Sequence, residues 1–223
     1  MSIAITLVCN KGGVGRSTTA QNVGWSLAKQ NYNVLVVDLD SQANTSITLC
    51  KNYEELVITG KKSITEMLKL DRGTKEKYHF IIYDTPPRKT DKFIHNALII
   101  SNYYWYIVSS ENRWALDAKP IMDKTINDVC DSMGAKIYPI PALLTLYRRR
   151  NALSTLVMEQ CKKIFEQGIM KATIRDTTEM RKSSAMYKTI YEYNHRAEVA
   201  KDYTTATKEL IVTLRANQQK LKL

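Results

Sequence analysis

The chain has 223 residues, of which 44% are hydrophobic and 25% are charged, and its formal net charge is +11. This length fits one domain, and the composition is ordinary for a globular protein with a buried core. No apolar run approaches the ~20 residues of a membrane-spanning helix, and the N-terminus lacks the basic start of a signal peptide. We therefore expect a single domain over residues 1–223 in the cytoplasm, with free thiols at its four cysteines.

Short apolar runs recur along the chain and predict buried strands. They cover residues 3–9, 34–37, 80–83, 104–108 and 137–140. Continuous apolar strands that alternate with helical stretches are typical of sheets covered on both sides. The sequence therefore predicts an α/β fold, with a doubly wound, mostly parallel sheet and helices on both faces.

Three helices have recognisable ends in the sequence. The first should run from about residue 16 to 30, and the last from 197 to about 217. Between them, residues 151–167 have an amphipathic pattern that stops at Gly168. We expect its apolar face to lie in the core; the face consists of Leu153, Leu156, Val157, Cys161, Ile164 and Phe165.

A glycine-rich segment, NKGGVGRSTTA at residues 10–20, joins the first strand to the first helix. Its glycines allow backbone conformations that direct N–H groups toward phosphate oxygens, and the helix adds the positive end of its dipole. Ser17 is placed to ligate Mg²⁺ through its hydroxyl group. Relative to the general pattern G-x-x-x-x-G-K-[ST], the chain has Asn10 for glycine and Arg16 for lysine. The segment predicts a phosphate-binding loop with an altered cation.

Two further strands end in aspartates. DLDSQ, residues 38–42, ends the second strand, and YDTPP, residues 83–87, ends the third. Such carboxylates can hold a magnesium-bound water or orient an attacking water, although a single aspartate could equally cap a helix or close a turn. All three motifs follow strands, and open α/β sheets bind ligands at the carboxyl ends of their strands. Together they predict a nucleotide site.

KGGVGRST, DLDSQ and YDTPP resemble the motifs of the ParA/MinD group of deviant Walker-A P-loop ATPases. The resemblance extends almost end to end, and small plasmid-partition ParA proteins fit best. It implies two subunits that sandwich two ATP molecules with Mg²⁺, and it assigns catalytic roles to Lys11, Asp40 and Arg16. Lys11 would reach the partner's phosphates and Asp40 would position the hydrolytic water. The implied metal site is Ser17, Asp38 and Asp84, and the implied cofactor-binding residues are Lys11, Gly12, Gly13, Val14, Gly15, Arg16, Ser17 and Thr18.

Basic residues are concentrated in the last third of the chain. Residues 148–223 contain 16 Lys and Arg against 8 Asp and Glu, a net charge of +8, whereas residues 1–147 carry +3. This excess is either a solvated basic surface or a polyanion-binding face. The segment IRDTTEMRKSSAMYKTIYEY loosely resembles a family segment that grips DNA without regard to sequence, with Tyr187 in place of a glycine. The matching DNA-binding positions are Arg175, Arg181, Lys182, Lys188 and Arg196.

The resemblance also implies partners and a location. A ParA-type partition ATPase would form a homodimer with ATP, bind non-specific double-stranded DNA on the nucleoid, and respond to a centromere-binding, ParB-like activator, with no membrane. The alternative is a MinD-like membrane-associated positioning ATPase, which would require an amphipathic C-terminal helix with bulky apolar residues. The tail TLRANQQKLKL has three leucines and no aromatic residue, so we expect it to end the closing helix.

Arg16 bears on whether hydrolysis survives. Arginine keeps the positive charge of lysine, but its planar fork prefers a different geometry. Most of a phosphate cradle is backbone N–H, so nucleotide binding should partly persist, whereas a misplacement of ~1 Å can cost on the order of 10²-fold in rate. Arg16 is either native to a divergent, slow ATPase or an engineered block that yields a hydrolysis-deficient, ATP-bound DNA-binding switch. The intact remaining motifs favour the second interpretation.

Overall fold

The computed structural model describes residues 2–9, 11–50, 77–87, 92–111, 117 and 119–221. Within these residues, six parallel strands form one sheet in the order β2-β3-β1-β4-β5-β6. The strands are β1 (Ile3–Val8), β2 (Val34–Asp38), β3 (Phe80–Asp84), β4 (Tyr103–Ser109), β5 (Tyr138–Tyr147) and β6 (Ile169–Arg175). The first four lie within one residue of their predicted bounds.

The helices between the strands cover both faces of the sheet. They are α1 (Arg16–Lys29), α2 (Asn44–Leu49), α3 (Lys92–Ile100), α4 (Lys119–Met133), α5 (Ala152–Ile164), α6 (Thr178–Ala185), α7 (Ile190–Asn194) and α8 (Glu198–Leu221). Buried side chains of α1 and α8 share one core cluster with strand residues such as Ile5 and Trp105. Side chains of α3, α4 and α5 share a second cluster with Val8 and Tyr106. The predicted doubly wound α/β architecture is therefore confirmed.

Strand β5 is longer than predicted, and strand β6 was not predicted. Pro139 and Pro141 interrupt the apolar run of β5, but pairing with β6 starts only at Ala142. The two prolines, which lack an N–H group, therefore lie in the part of β5 that has no β6 residue to pair with. A strand tolerates proline at such a position. Beyond them β5 continues to Tyr147.

The packing of α5 differs from the sequence-based prediction. Its buried residues are Ser154, Val157 and Cys161, together with Phe165 beyond the helix end. The hydroxyl of Ser154 lies 3.1 Å from that of Ser110 and accepts a hydrogen bond from the backbone N–H of Arg148. These contacts turn a serine toward the sheet. The expectation that the whole apolar stripe is core is thus wrong for Leu153, Leu156 and Ile164, which are 42%, 49% and 40% exposed.

Helix α1 lies unusually close to the sheet because of a glycine. A Cβ atom added at Gly24 would lie 2.8 Å from Cγ2 of Val36 on β2. The helix then ends as predicted at a turn, in which Asn31 adopts a left-handed φ of 63°. Gly24 thus fixes the distance between the helix that starts at the phosphate loop and the strand that carries Asp38.

Carboxylates of α8 cover the backbone of β6, which is an edge strand of the described sheet. Glu209 accepts hydrogen bonds from the N–H groups of Lys171 and Ala172, at 2.8 and 2.9 Å. Asp202 accepts one from the N–H of Arg175 at 3.1 Å. Edge N–H groups that would otherwise be open to another strand are therefore bonded within the molecule.

The closing helix and the cysteines agree with the sequence-based expectations. Helix α8 extends to Leu221, so the tail forms its end as predicted. The described segments contain no helix that combines the length and the apolar character needed to cross a bilayer. The four cysteines, each within the described residues, are free.

Candidate functional site

The sheet order brings the three motifs together at the carboxyl ends of neighbouring strands. Strand β3 lies between β1 and β2, so the DLDSQ motif, the YDTPP motif and the glycine-rich loop follow neighbouring strands. In the registers of these pairs, Asp38 and Leu7 both stand opposite Asp84. The carboxyl ends of the strands thus form the ligand-binding edge expected of an open α/β sheet.

The glycine-rich loop adopts the backbone conformation that its glycines allow. Gly13 and Gly15 have φ values of +77° and +80°, in the left-handed region that glycine tolerates without strain. Thr145 of β5 donates a 2.6 Å hydrogen bond to the carbonyl of Val14, and Thr19 donates one of 2.7 Å to the carbonyl of Gly15. These bonds fix the loop between β5 and α1.

A cavity of about 420 Å³ opens over this loop. All eight predicted cofactor-binding residues, numbers 11–18, line it, and so does Asp40. Sequence reasoning missed the other lining residues, which are Gln21, Gln42, Asn44, Thr48, Pro87, Ser184 and Tyr187. Gln42 and Pro87 belong to the DLDSQ and YDTPP motifs, whereas the residues of α2 and those in and after α6 offered no signal for this location.

Arg16 is 5% exposed and is held by three side chains. Its Nε donates to Oδ1 of Asp84 at 3.1 Å, its Nη1 donates to Sγ of Cys9 at 2.8 Å, and its Nη2 lies 3.5 Å from Oδ2 of Asp40. Burial by itself lowers the pKa of Arg16, but Cys9 and Asp84 raise it above its ordinary value. The guanidinium therefore stays charged and belongs to a buried ion cluster in the wall of the cavity.

Asp84 is fully buried and both of its carboxylate oxygens have partners. Oδ1 accepts from Arg16, and Oδ2 accepts a 2.6 Å hydrogen bond from the hydroxyl of Thr45. Asp84 is absent from the residues that line the cavity. Any contact with a metal in the cavity would have to compete with, or add to, these two bonds.

Asp38 also has internal partners. Its Oδ2 accepts from the N–H and the hydroxyl of Ser46, and its Oδ1 accepts from the N–H of Asp40. Burial raises the pKa of Asp38, and the neighbouring charge of Asp84 adds to this, while the Ser46 bonds oppose it. These contacts indicate that Asp38 anchors α2 beneath the cavity.

Ser17 is the predicted metal ligand that faces the cavity. Within the described residues, no group of three or more His, Cys, Asp or Glu side chains is arranged to hold a metal ion. A hard cation such as Mg²⁺ often takes few protein ligands and completes its shell with phosphates and water. The Ser17 hydroxyl beside the loop fits that kind of site, whereas Asp38 and Asp84 would act only from behind it.

Tyr187 occupies the position at which the family segment has glycine. It adopts φ +50°, the left-handed region that favours glycine, and its side chain is 59% exposed. It lines the cavity together with Ser184 of α6. The backbone at Tyr187 therefore has a positive φ, a conformation that would account for a glycine in the family segment.

A second cavity of about 370 Å³ adjoins the first and shares Gly13, Gly15, Thr18 and Ser184 with it. Its remaining wall comes from the ends of β5 and β6, from α6 and from Tyr203 of α8. Leu146, Ile174 and Met180 make part of this wall apolar. The loop thus lies between a polar cavity and a partly apolar one, an arrangement suited to an extended ligand with an anionic and a flat apolar end.

The five predicted DNA-binding residues are exposed but differ in their partners. Arg175 makes two hydrogen bonds to the carboxylate of Asp202, at 2.6 and 2.8 Å, and Arg181 pairs with Asp176. Lys182, Lys188 and Arg196 are exposed around α6 and α7 and form no ion pair with another described residue.

Comparison with known sequences finds similarity over the whole chain. A family model described as an AAA domain matches residues 2–71. The sporulation initiation inhibitor protein Soj of Bacillus subtilis is 25% identical over 251 residues, covering 94% of this chain and 98% of Soj. The chromosome partitioning protein ParA of Caulobacter vibrioides is 24% identical over 259 residues, covering 97% and 96%.

Solved structures share the fold. A plasmid partition protein of Borrelia burgdorferi bound to AMPPNP is 22% identical with a TM-score of 0.71, covering 97% of this chain and 100% of that chain. The septum site-determining protein MinD of Pyrococcus horikoshii with Mg-ADP is 17% identical with a TM-score of 0.72, covering 94% and 96%. Cobyrinic acid a,c-diamide synthase of Mycobacterium smegmatis with ADP and magnesium is 20% identical with a TM-score of 0.74, covering 97% of each chain.

The motifs, the strand order and these full-length likenesses agree with one another. The loop at residues 11–18 leads from β1 into α1, and the aspartates of the other two motifs follow the neighbouring strands. The curated relatives Soj and ParA match this chain and their own chains almost from end to end. Over nearly its full length the chain is similar in sequence to Soj and ParA, and it shares the fold of the plasmid partition protein and MinD structures.

Proposed function

We propose that this protein is a ParA-type partition ATPase. It binds ATP with Mg²⁺, forms a sandwich homodimer, binds DNA without sequence preference, and segregates or positions plasmid or chromosomal DNA. A centromere-binding, ParB-like partner stimulates hydrolysis. The observation that carries the proposal is the cavity over residues 11–18, because it combines a phosphate cradle, the Ser17 hydroxyl and Asp40 in a chain that aligns with Soj over nearly its full length.

The backbone of the loop would bind the phosphates. The N–H groups after Gly12, Gly13 and Gly15 and the start of α1 form an anion site. Bound Mg²⁺ would neutralise phosphate charge and orient the phosphates, and the Ser17 hydroxyl is the residue of this chain best placed to hold it. Lys11 is exposed at the rim of the cavity, which is where a residue that serves a partner subunit's nucleotide would have to lie.

Asp40 is the candidate for positioning the hydrolytic water. Its side chain is 11% exposed and lines the cavity, and its Oδ1 is held by the N–H of Gln42 at 3.1 Å. A carboxylate fixed in this way can accept a hydrogen bond from water without being part of the phosphate cradle. Asp40→Ala should therefore abolish hydrolysis and leave ATP affinity nearly unchanged.

DNA binding would use the basic residues around α6 and α7. Lys182 and Lys188 flank Ser184 and Tyr187, which line the cavity, so one short segment carries both exposed cations and part of the nucleotide site. A dimer would present two such segments, and the second would then act at high effective concentration. This arrangement supports DNA binding that depends on ATP.

A hydrolysis-deficient DNA-binding switch is the second candidate, and the geometry of Arg16 favours it. The guanidinium contacts Asp84, Cys9 and Asp40, so the positive charge that a P-loop lysine supplies to the phosphates is directed elsewhere. Such a protein would keep ATP and DNA bound and release them slowly.

The test is ATP turnover and DNA binding measured on the same protein. Gel shifts with random duplex DNA are run over a salt series with ATP, ADP or no nucleotide, and turnover is measured with and without DNA. A partition ATPase binds DNA with ATP only, and salt weakens this binding steeply because phosphate contacts release counterions. Lys182→Ala should lower DNA affinity, whereas Lys162→Ala, on α5, is the matched control. DNA binding that is equal without nucleotide would contradict the proposal.

A further inference from the structure

We propose that the turn between β5 and α5, which carries three consecutive arginines, binds DNA phosphates beside the segment around α6. The inference rests on the DNA binding proposed above and adds Arg149 and Arg150 to the residues that would carry it. Both lie outside the segment that the family resemblance relates to DNA binding. Phosphate contacts carry no sequence information, so the turn would strengthen binding to any duplex.

Arg148 fixes the turn in place. Its Nε donates to Oδ2 of Asp176 at 2.8 Å, and its Nη2 donates to Oε1 of Glu111 at 3.0 Å. The N–H of Asn151, the residue that caps α5, donates to the carbonyl of Arg148 at 2.9 Å. The turn therefore has a defined backbone, and the charge of Arg148 is compensated within the molecule.

Asp176 connects this turn to α6. Its carboxylate is 5% exposed and pairs with Arg181 of α6 as well as with Arg148. Two arginines that contact one carboxylate lie next to each other, so the turn continues the basic surface proposed for DNA. Asp176 and Glu111 together balance the charges of these two arginines, and any excess of positive charge must therefore come from their neighbours.

Arg149 and Arg150 supply that excess. Both are exposed, and neither forms an ion pair or a side-chain hydrogen bond with another described residue. Together with Lys182 of α6 they place three uncompensated cations around this junction. Clustered cations bind a polyanion favourably because they release its counterions, and arginine can also bind phosphate through two parallel hydrogen bonds.

The position of the turn excludes the nucleotide of the same subunit as the ligand of these arginines. Neither Arg149 nor Arg150 lines the cavity over the phosphate loop or the adjoining one. An anion that they bind therefore belongs to another molecule. Duplex DNA carries one negative charge per ~1.7 Å of helix axis, which is dense enough to meet both arginines and α6 at once.

The experiment measures the affinity for a short random DNA duplex by fluorescence anisotropy, with ATP and Mg²⁺, over a salt series. The proteins are the unaltered chain, Arg149→Ala/Arg150→Ala and the control Lys162→Ala/Lys163→Ala, which removes the same charge at exposed positions in the last turn of α5. If each arginine contacts one phosphate, the slope of log K against log salt concentration becomes shallower by about 0.9 per arginine. We expect the affinity at low salt to fall by about tenfold or more in the arginine variant and by less than about threefold in the control. ATP affinity without DNA should be the same in all three proteins.

Two results would overturn the inference while the proposed function stands. One is an arginine variant whose salt slope and affinity equal those of the control, beside a Lys182→Ala variant that binds DNA more weakly. The other is a loss of ATP affinity in the arginine variant, because the turn would then act on the nucleotide site. An unaltered chain that binds no DNA contradicts the proposed function and the inference with it.

A charge-conserving variant separates a lost phosphate contact from damage to the fold. Arg149→Lys/Arg150→Lys keeps both charges, so it should keep the salt slope of the unaltered chain. A slope reduced to that of the alanine variant would mean that the loss does not come from charge, and this result also overturns the inference.

Discussion

Replacing Asp84 by asparagine should destabilise the ligand-free protein strongly. The asparagine side chain is nearly isosteric with aspartate: its oxygen can accept from Arg16 and its amide can donate to Thr45, so the hydrogen bonds of both original oxygens have replacements. What is lost is the negative charge that compensates a guanidinium only 5% exposed. Removal of one partner from a buried ion pair costs about 3–5 kcal/mol, and Asp40 at 3.5 Å compensates part of the charge, so we expect about 3 kcal/mol.

The assay is urea unfolding followed by circular dichroism, without nucleotide and with EDTA. Arg16→Met and the double variant complete a mutant cycle, which isolates the interaction between the two side chains. The double variant should lose less stability than the sum of the single variants, by roughly 1–3 kcal/mol. Glu198→Gln is the control, because it breaks exposed pairs with Lys201 and Arg175, which solvent screens, and it should therefore change stability little.

Two results would refute this reasoning. One is an Asp84→Asn variant that is no less stable than Glu198→Gln, which would mean that the charge of Asp84 does not compensate Arg16. The other is strict additivity in the cycle, which would mean that the two side chains do not interact in solution at the distance of 3.1 Å between Nε and Oδ1.

Three further changes test other parts of the structure. Tyr187→Gly should raise the free energy of unfolding, measured in urea titrations, by up to about 1 kcal/mol, because glycine adopts the φ of +50° without backbone strain. Met186→Gly is the control: at a φ of −96° glycine relieves no strain, so this change should lower the free energy of unfolding. Gly24→Ala should lower the melting temperature despite the better helix propensity of alanine, since its Cβ would lie 2.8 Å from Val36, and a gain in stability would disprove this close approach. Burial raises the pKa of Asp38, so its contribution to stability is present at low pH and lost as pH rises through its folded pKa. Asp38→Asn should therefore flatten the fall of unfolding free energy as pH rises above the ordinary aspartate range, and an unchanged slope in urea titrations over that pH series would count against this.

Apolar runs and glycines were sufficient to predict most of the sheet and the phosphate loop. Strands buried on both faces are apolar throughout, so β1 and β3 stand out from their surroundings. Strand β6 was missed because it lies at the edge of the described sheet and its exposed positions carry Lys171 and Arg175, which interrupt the apolar pattern. Similarly, the prolines at the start of β5 hid the length of that strand.

The orientation of side chains in the site could not be predicted from the motif. Arg16 was expected at the phosphates because a loop lysine reaches them, but its direction depends on Cys9, Asp40 and Asp84, which meet only in the fold. The catalytic, metal and DNA-binding roles of the predicted residues stay predictions.

The bonds from α8 to the edge strand β6 have a consequence for how copies of this protein can associate. Glu209 and Asp202 bind N–H groups of β6, so a strand from another molecule would have to displace two carboxylates before it could pair there. Growth of a continuous sheet from one molecule to the next is therefore disfavoured at this edge. Any assembly of several copies would have to use surfaces other than this edge, and amyloid-like growth that starts from β6 is disfavoured as well.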